Sequence, residues 1–351
     1  MNLRSIININ KMRDTKGYKR SLCIPKNYGG NMKLLRIFIM AIGLGVILCM
    51  PTAAKDVVPI YTPGSGGTAY FLGGAIAKVI NKYVPEVQMM VEGTGGSAAT
   101  IKFIDEKKSK GQGAFGISDS KLLYLGYSGK PPFTKAYSDL RAITFLYGSG
   151  LNLVVYKNSP IKTYNDLKGR RVALGAAGSG TSEISKDLLE AHGLTKDMYK
   201  PVWLGYKEVV EGLQDGSIDA GFISGAFPIP ALKEMSARRE IRIIPVDDKV
   251  LKKFLEENPY LYSETLKTGS YKGIDKDTVI VVFGTPLETH SGVSTELVYK
   301  ITKALFEHRN ELIEIHPIAK EMNQENVKRT IMFPFHPGAE KYFREVGIFK
   351  K

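Results

Sequence analysis

"YTPGSGGTAYFLGGAIAKVI", residues 61–80, runs from the end of an apolar stretch through three glycines within four positions into an amphipathic helical pattern. A glycine-rich turn between a strand and a helix leaves backbone N–H groups uncovered at the positive end of the helix dipole, so an anion is the natural guest. Three more turns follow strand-like runs along the chain. "EGTGGS" comes after VQMMV (87–91), "SDS" after GAFGI (113–117), and "AAGSGT" after RVALG (171–175), each opening a further helical pattern. Any one of them reads as a tight turn with an N-cap. Several at equivalent positions point to a shared anionic or zwitterionic guest.

The rest of the chain keeps this rhythm. VVPIY (57–61) precedes the first loop, and VWL (202–204) and IDAGFI (218–223) continue a second set of strands and helices. Strand, loop and helix in alternation predict parallel α/β sheets with ligands beyond the carboxyl ends of the strands. "LNLVVYK" and "TVIVVFGTP" are apolar, β-branched and placed where the rhythm breaks, so they are the expected paired crossover strands.

The N-terminal region reads differently. Met32–Ala54 carries Lys33 and Arg36, an apolar run from Ile37 to Met50, and a small-residue exit at Thr52-Ala53-Ala54, the three-part pattern of a cleaved secretory signal. Such a run is short for a membrane span. Leu48 before Cys49 is bulky where a lipoprotein site needs a small residue. Residues 1–31 read as an extension upstream of the true start at Met32, and the exported protein is expected to begin near Lys55 and to be periplasmic. Cys23 and Cys49, the two cysteines, lie in the removed part, which excludes disulfide and thiol chemistry from the expected mature chain. Residues 1–54 also hold nine Lys and Arg against one acidic residue, so the formal +14 falls to +6. The remaining basic residues are interspersed with acidic ones, which argues against nucleic-acid binding.

Catalytic signatures are missing. The sequence has no G-x-x-x-x-G-K-[ST], G-x-S-x-G or H-E-x-x-H, and its five histidines lack metal-ligand spacing. Gly64–Ala69 fits the dinucleotide pattern G-x-G-x-x-A, with Glu92 where a ribose acid would stand. A second glycine turn directly after Glu92 crowds the adenosine position, and export removes the chain from the nicotinamide pool. No enzyme, cofactor or metal is expected.

The segments "YTPGSGGTAYFLGGAIAKVIN", "VEGTGGSAATIKFI", "GAFGISDSKLLYLGYSG", "IKTYNDLKGRRVALGAAGSGTSEISKDLLEAHGL", "LQDGSIDAGFISGAFPIPAL" and "VYKITKALFEHRNEL" together resemble the TAXI family of extracytoplasmic solute receptors, across nearly all of residues 57–346. That family serves tripartite ATP-independent periplasmic (TRAP) transporters. Gly148-Ser149-Gly150 departs from it where a Pro-containing segment is expected, and residues 251–277 are idiosyncratic. The resemblance implies an α/β, two-lobed periplasmic-binding-protein fold of type II, with two crossover strands and a central ligand cleft. Lobe one would be 55–148 plus 284–351 and lobe two 149–283. It further implies a small-molecule carboxylate or amino-acid ligand, glutamate-like compounds first, a TRAP-type membrane permease as partner, and a monomer. An exported ligand-binding sensor domain is the alternative.

The expected ligand-binding residues follow by position. On lobe one they are Ser65, Gly67, Thr68 and Tyr70; Thr94, Gly96 and Ser97; and Ser118 with Asp119. Asp119 suits an ammonium group or a helix N-cap. On lobe two they are Ser179, Gly180 and Thr181, then Ser224, Gly225 and Phe227 after a strand ending at Ile223, with Tyr147 near the crossing.

Overall fold

The computed structural model describes residues 56–64 and 67–350; the expected signal segment and start site lie outside them. Two parallel β-α-β sets flank a pair of long strands. The first set is β1 (Asp56–Pro63), α1 (Thr68–Tyr83), β2 (Val87–Thr94), α2 (Ser97–Ser109) and β3 (Phe115–Ile117), followed by α3 (Ser120–Ser128). The second is β5 (Arg171–Ala173), α4 (Gly180–Ala191), β6 (Lys200–Val202), α5 (Tyr206–Asp215) and β7 (Ala220–Gly225). Between them run β4 (Leu140–Tyr156) and β10 (Thr278–His290), giving the sheet order β2-β1-β3-β10-β4-β7-β5-β6.

The two long strands make this one mixed sheet, where the sequence pattern predicts separate parallel ones. β10 pairs antiparallel with β3 through Leu287–Thr289, and with β4 from Val281 to His290. β4 in turn pairs antiparallel with β7 from Gly150 to Val154. Each long strand therefore belongs to both halves of the molecule, and this is the two-lobed arrangement with crossing strands. Bulges after Thr285 and after Leu287 bend β10 where it passes between the halves. "LRAITFLY" and "LNLVVY" are a single strand, because Gly148-Ser149-Gly150 continues it. Those glycines are where other side chains cross the strand: a Cβ on Gly148 would stand 2.1 Å from the Tyr262 hydroxyl, and one on Gly150 would stand 2.4 Å from the Phe227 ring.

Around this sheet, α6 (Pro230–Arg238), β8 (Ile241–Ile243), α7 (Asp248–Glu257) and β9 (Leu261–Leu266) complete the second half, with β8 on β4 and β9 on β10. Residues 251–277 thus contribute regular structure. α8 (Thr295–Glu307), α9 (Arg309–Ile315) and α10 (Pro337–Glu345) return to the first half, where Val298, Ile301, Leu312 and Phe343 share a core with Leu72, Ile76 and Ile80 of α1. The helical spacing of those α1 residues turns one stripe inward, and removing a fully buried side chain such as Ile76 costs about 2–5 kcal/mol. Gly73 on the same face has no Cβ because Thr62 and Val91 press against it, at 2.8 and 3.2 Å from where one would be.

Two local expectations change. Trp203 lies one residue beyond β6 and is half exposed, and Ser224 and Gly225 are the last residues of β7 rather than a loop after it. His336 is the N-cap of α10, its ring accepting from the Gly338 N–H at 3.1 Å, so the Pro-Gly pair starts a helix. Among the described residues no helix is long and apolar enough to cross a membrane.

Candidate binding site at the strand ends

The carboxyl ends of β1, β2, β3, β5 and β7 bring most of the singled-out residues together, while Ser65 lies outside the described residues. Gly67 and Gly96 are the N-caps of α1 and α2, and among the described residues neither helix start has a side-chain cap. Thr68 and Tyr70, in the first turn of α1, are half-buried. Thr94 is spent locally: its hydroxyl accepts from the Gly96 N–H and pairs with Thr100 at 2.9 Å. Gly96 holds φ at +138°, a conformation closed to side chains, and a Cβ there would lie 3.0 Å from the Gly178 carbonyl of the opposite half. These two glycine turns therefore touch across the seam between the halves.

A second contact lies deeper. The Asp119 carboxyl is buried and caps α3, with Oδ1 accepting from the Leu122 N–H at 2.8 Å, while the Asp119 N–H donates to Ser97 Oγ at 3.1 Å. Opposite it is Gly180, the first residue of α4, where a Cβ would fall 2.2 Å from the Asp119 carboxyl carbon. Lys121 reaches over the same seam, its buried ammonium donating to the Glu183 carbonyl at 2.7 Å and pairing with Asp187. Ser120 links α3 to the Tyr260 carbonyl and to the Gly284 N–H.

Hydroxyls fill the second half's share of the seam. Thr181 Oγ1, Ser224 Oγ and Tyr206 Oη form a triangle with sides of 2.7, 2.7 and 2.6 Å. Ser179 caps α4, accepting from the Ser182 N–H at 3.2 Å. Tyr147 is buried on β4, and Thr285, which faces it in register, pairs with Ser149 at 3.2 Å. Gly225 ends β7 half-buried, and Phe227 packs its ring over Gly150 beside Ile280.

Charge in this seam is acidic and desolvated. Burial raises the Asp119 carboxyl above the usual range, against the opposing pull of the Leu122 N–H, Ser97 and Lys121. Glu288 on β10 lies behind it, fully buried, accepting from the Ser118 N–H at 3.2 Å. Burial pushes Glu288 up to about 8, with the neighbouring Asp119 adding to the shift. Burial likewise raises the Tyr147 and Tyr206 phenols. Ser118 Oγ, Asp119 Oδ2 and Glu288 Oε1 are buried without a hydrogen-bond partner among the described residues. An open hollow of about 600 Å³, lined by Phe306, Arg309, Asn323 and Tyr342 among others, shares no residue with this seam.

Glu288, Tyr206 and Lys121 escape the sequence reading. Glu288 left one trace, a carboxylate inside the apolar run "TVIVVFGTPLETH", where it needs a buried partner. Lys121 left none, since a lysine after a helix cap is ordinarily solvated.

The model of the NMT1-like family matches residues 60–347. Among solved structures, the periplasmic aliphatic sulphonate binding protein SsuA from Escherichia coli is 15% identical over 85% of this chain and 80% of its own, with a TM-score of 0.44. A TctC solute binding protein from Polaromonas is 17% identical over 79% of this chain and 90% of its own, with a TM-score of 0.44. A putative L-cystine ABC transporter from Listeria monocytogenes is 12% identical over 78% of this chain and 99% of its own, with a TM-score of 0.46.

Proposed function

The chain belongs to the NMT1-like family, and from that premise we propose that it is an exported solute receptor of the TAXI type. It captures a small organic acid or glutamate-like amino acid between its lobes and hands it to an ion-gradient-driven TRAP permease. Its role is capture and delivery, not catalysis. In this reading the lobes are residues 55–148 with 284–351, and residues 149–283, hinged where β4 and β10 pass between them, and the protein works as a periplasmic monomer.

What carries the reading is the polar seam at the strand ends, where oxygens of Ser118 and Asp119 are buried without partners among the described residues. Each unpartnered buried polar group costs about 1–3 kcal/mol, and a polar solute held between the lobes removes that cost. A solute shifts the balance between open and closed lobes only through contacts it gains when they close. The test is small-angle scattering of the purified protein with its cargo added. A smaller radius of gyration on saturation is expected, and an unchanged profile would count against a closing receptor.

A further inference from the structure

We propose that side chains packed behind the crossover strands form a stop that limits how far the two lobes open. The proposal rests on the receptor reading for the lobes and their motion, but it concerns the face turned away from the seam. Backbone hydrogen bonds place the hinge. Ahead of Gly150, the N–H groups of Ala142, Phe145 and Gly148 on β4 donate to the Pro334 carbonyl, the Val327 carbonyl and the Glu321 carboxylate, at 2.9, 3.3 and 2.8 Å. All three acceptors come from the segment before α10, in the first half. From Gly150 onward β4 pairs with β7 of the second half. β10 changes partners at the matching point, since β9 holds it up to Phe283 and β3 takes over at Leu287.

The handover falls at Gly148 and Gly284, which face each other in register, one step from the pair Tyr147 and Thr285. Opposite residues of two strands share a face and successive residues alternate, so the glycine pair looks away from Tyr147 and Thr285. That face is filled from both lobes. The Tyr262 hydroxyl of β9 occupies the space of a Cβ on Gly148, and Thr330 Oγ1 occupies that of a Cβ on Gly284. Arg329, next to Thr330, lies 4.8 Å over the Tyr262 ring and 5.9 Å over that of Phe145. Thr330 itself holds φ at +57°, the one positive φ outside glycine among the described residues. Such a conformation persists only where the surroundings impose it.

A rotation about the glycine pair that parts the lobes at the seam brings them together on the opposite face. There Tyr262 belongs to lobe two, and Arg329 and Thr330 belong to lobe one. These side chains are already packed over the glycines, and packed interiors compress little. Opening therefore drives Tyr262 against Arg329 and Thr330 and halts. The ion pair beside them is secondary: Arg329 Nη1 and Glu264 Oε1 stand 4.0 Å apart, with side chains 42% and 40% exposed, and exposed pairs contribute little.

The test is an interlobe distance, measured by pulsed electron paramagnetic resonance on the full chain after exhaustive dialysis and with no solute added. Spin labels are attached at Lys102→Cys on α2 and Lys207→Cys on α5, both exposed, in a background of Cys23→Ser and Cys49→Ser. Tyr262→Leu keeps an apolar side chain on β9 but loses the reach to Gly148, and Arg329→Gln removes the guanidinium from the stop. Each should shift the distance to longer values and broaden it, whereas Glu264→Gln should leave it unchanged. Circular dichroism melting checks that the variants fold, and Arg329→Gln, at an exposed site, decides the matter if Tyr262→Leu does not. If the folded variants keep the parent's distance, or if Glu264→Gln lengthens it as much as they do, the stop is overturned and the receptor reading stands on its scattering test. If the distances lengthen but scattering shows no closure on cargo, the receptor reading falls and the stop remains.

Discussion

Adding one methyl group at position 180 should separate closure from folding. Gly180 is the first residue of α4, and alanine is favoured over glycine in helices by roughly 0.5–1 kcal/mol, so Gly180→Ala does not weaken its own half. The new Cβ, however, would lie 2.2, 2.4 and 2.6 Å from the carbon and two oxygens of the Asp119 carboxyl. Carbon contacts settle at about 3.5–4.0 Å, so the seam must open by about 1 Å or Asp119 must swing away. Swinging gives up the cap on the Leu122 N–H, worth about 0.5–2 kcal/mol. Overpacking of this kind costs about 1–3 kcal/mol, which falls on the closed state alone and weakens solute binding roughly ten- to hundredfold. Calorimetric titration measures the affinity, and thermal melting without solute measures the fold. An unchanged affinity, or a lowered melting temperature with normal affinity, would refute the reasoning.

Two further expectations follow from buried groups. Glu288 has its folded value raised to about 8 by burial, so the folded protein holds a proton that the unfolded chain releases. Stability from this group is therefore fully present below the unfolded value, near 4.5, and is lost as pH rises towards about 8. Glu288→Gln should gain on the parent over that window, with a slope approaching about 1.4 kcal/mol per pH unit. Denaturant midpoints of the two proteins at several pH values check this, and parallel curves would contradict it. Thr181→Val removes one corner of the hydroxyl triangle but leaves Tyr206 and Ser224 paired at 2.6 Å. It should lower stability by about 0.5–1.5 kcal/mol, and a loss above about 3 kcal/mol would mean that the triangle acts as one inseparable unit.

Local pattern made most of the fold legible, because glycine turns, β-branched runs and helical stripes are properties of adjacent residues. It revealed both β-α-β sets and the crossing strands. It could not join the halves into one sheet, since the pairing of Leu287 with Ile117 and of Gly150 with Gly225 links residues far apart in sequence. The site followed the same division. Gly67, Gly96, Asp119 and Ser179 stand at helix starts as their residue types require, and Asp119 caps α3 while its other oxygen has no partner among the described residues. Glu288 and Lys121 acquire meaning only from burial, which depends on what the other half of the chain brings against them.

Native mass spectrometry of the protein, purified without prolonged dialysis and set beside Gly180→Ala, tests most directly whether a small solute is held between the lobes. The account predicts a parent mass carrying a single small-molecule adduct that is released on denaturation, and a Gly180→Ala protein that has lost most of it. A parent protein at its bare mass, or an adduct retained equally by both, would contradict it.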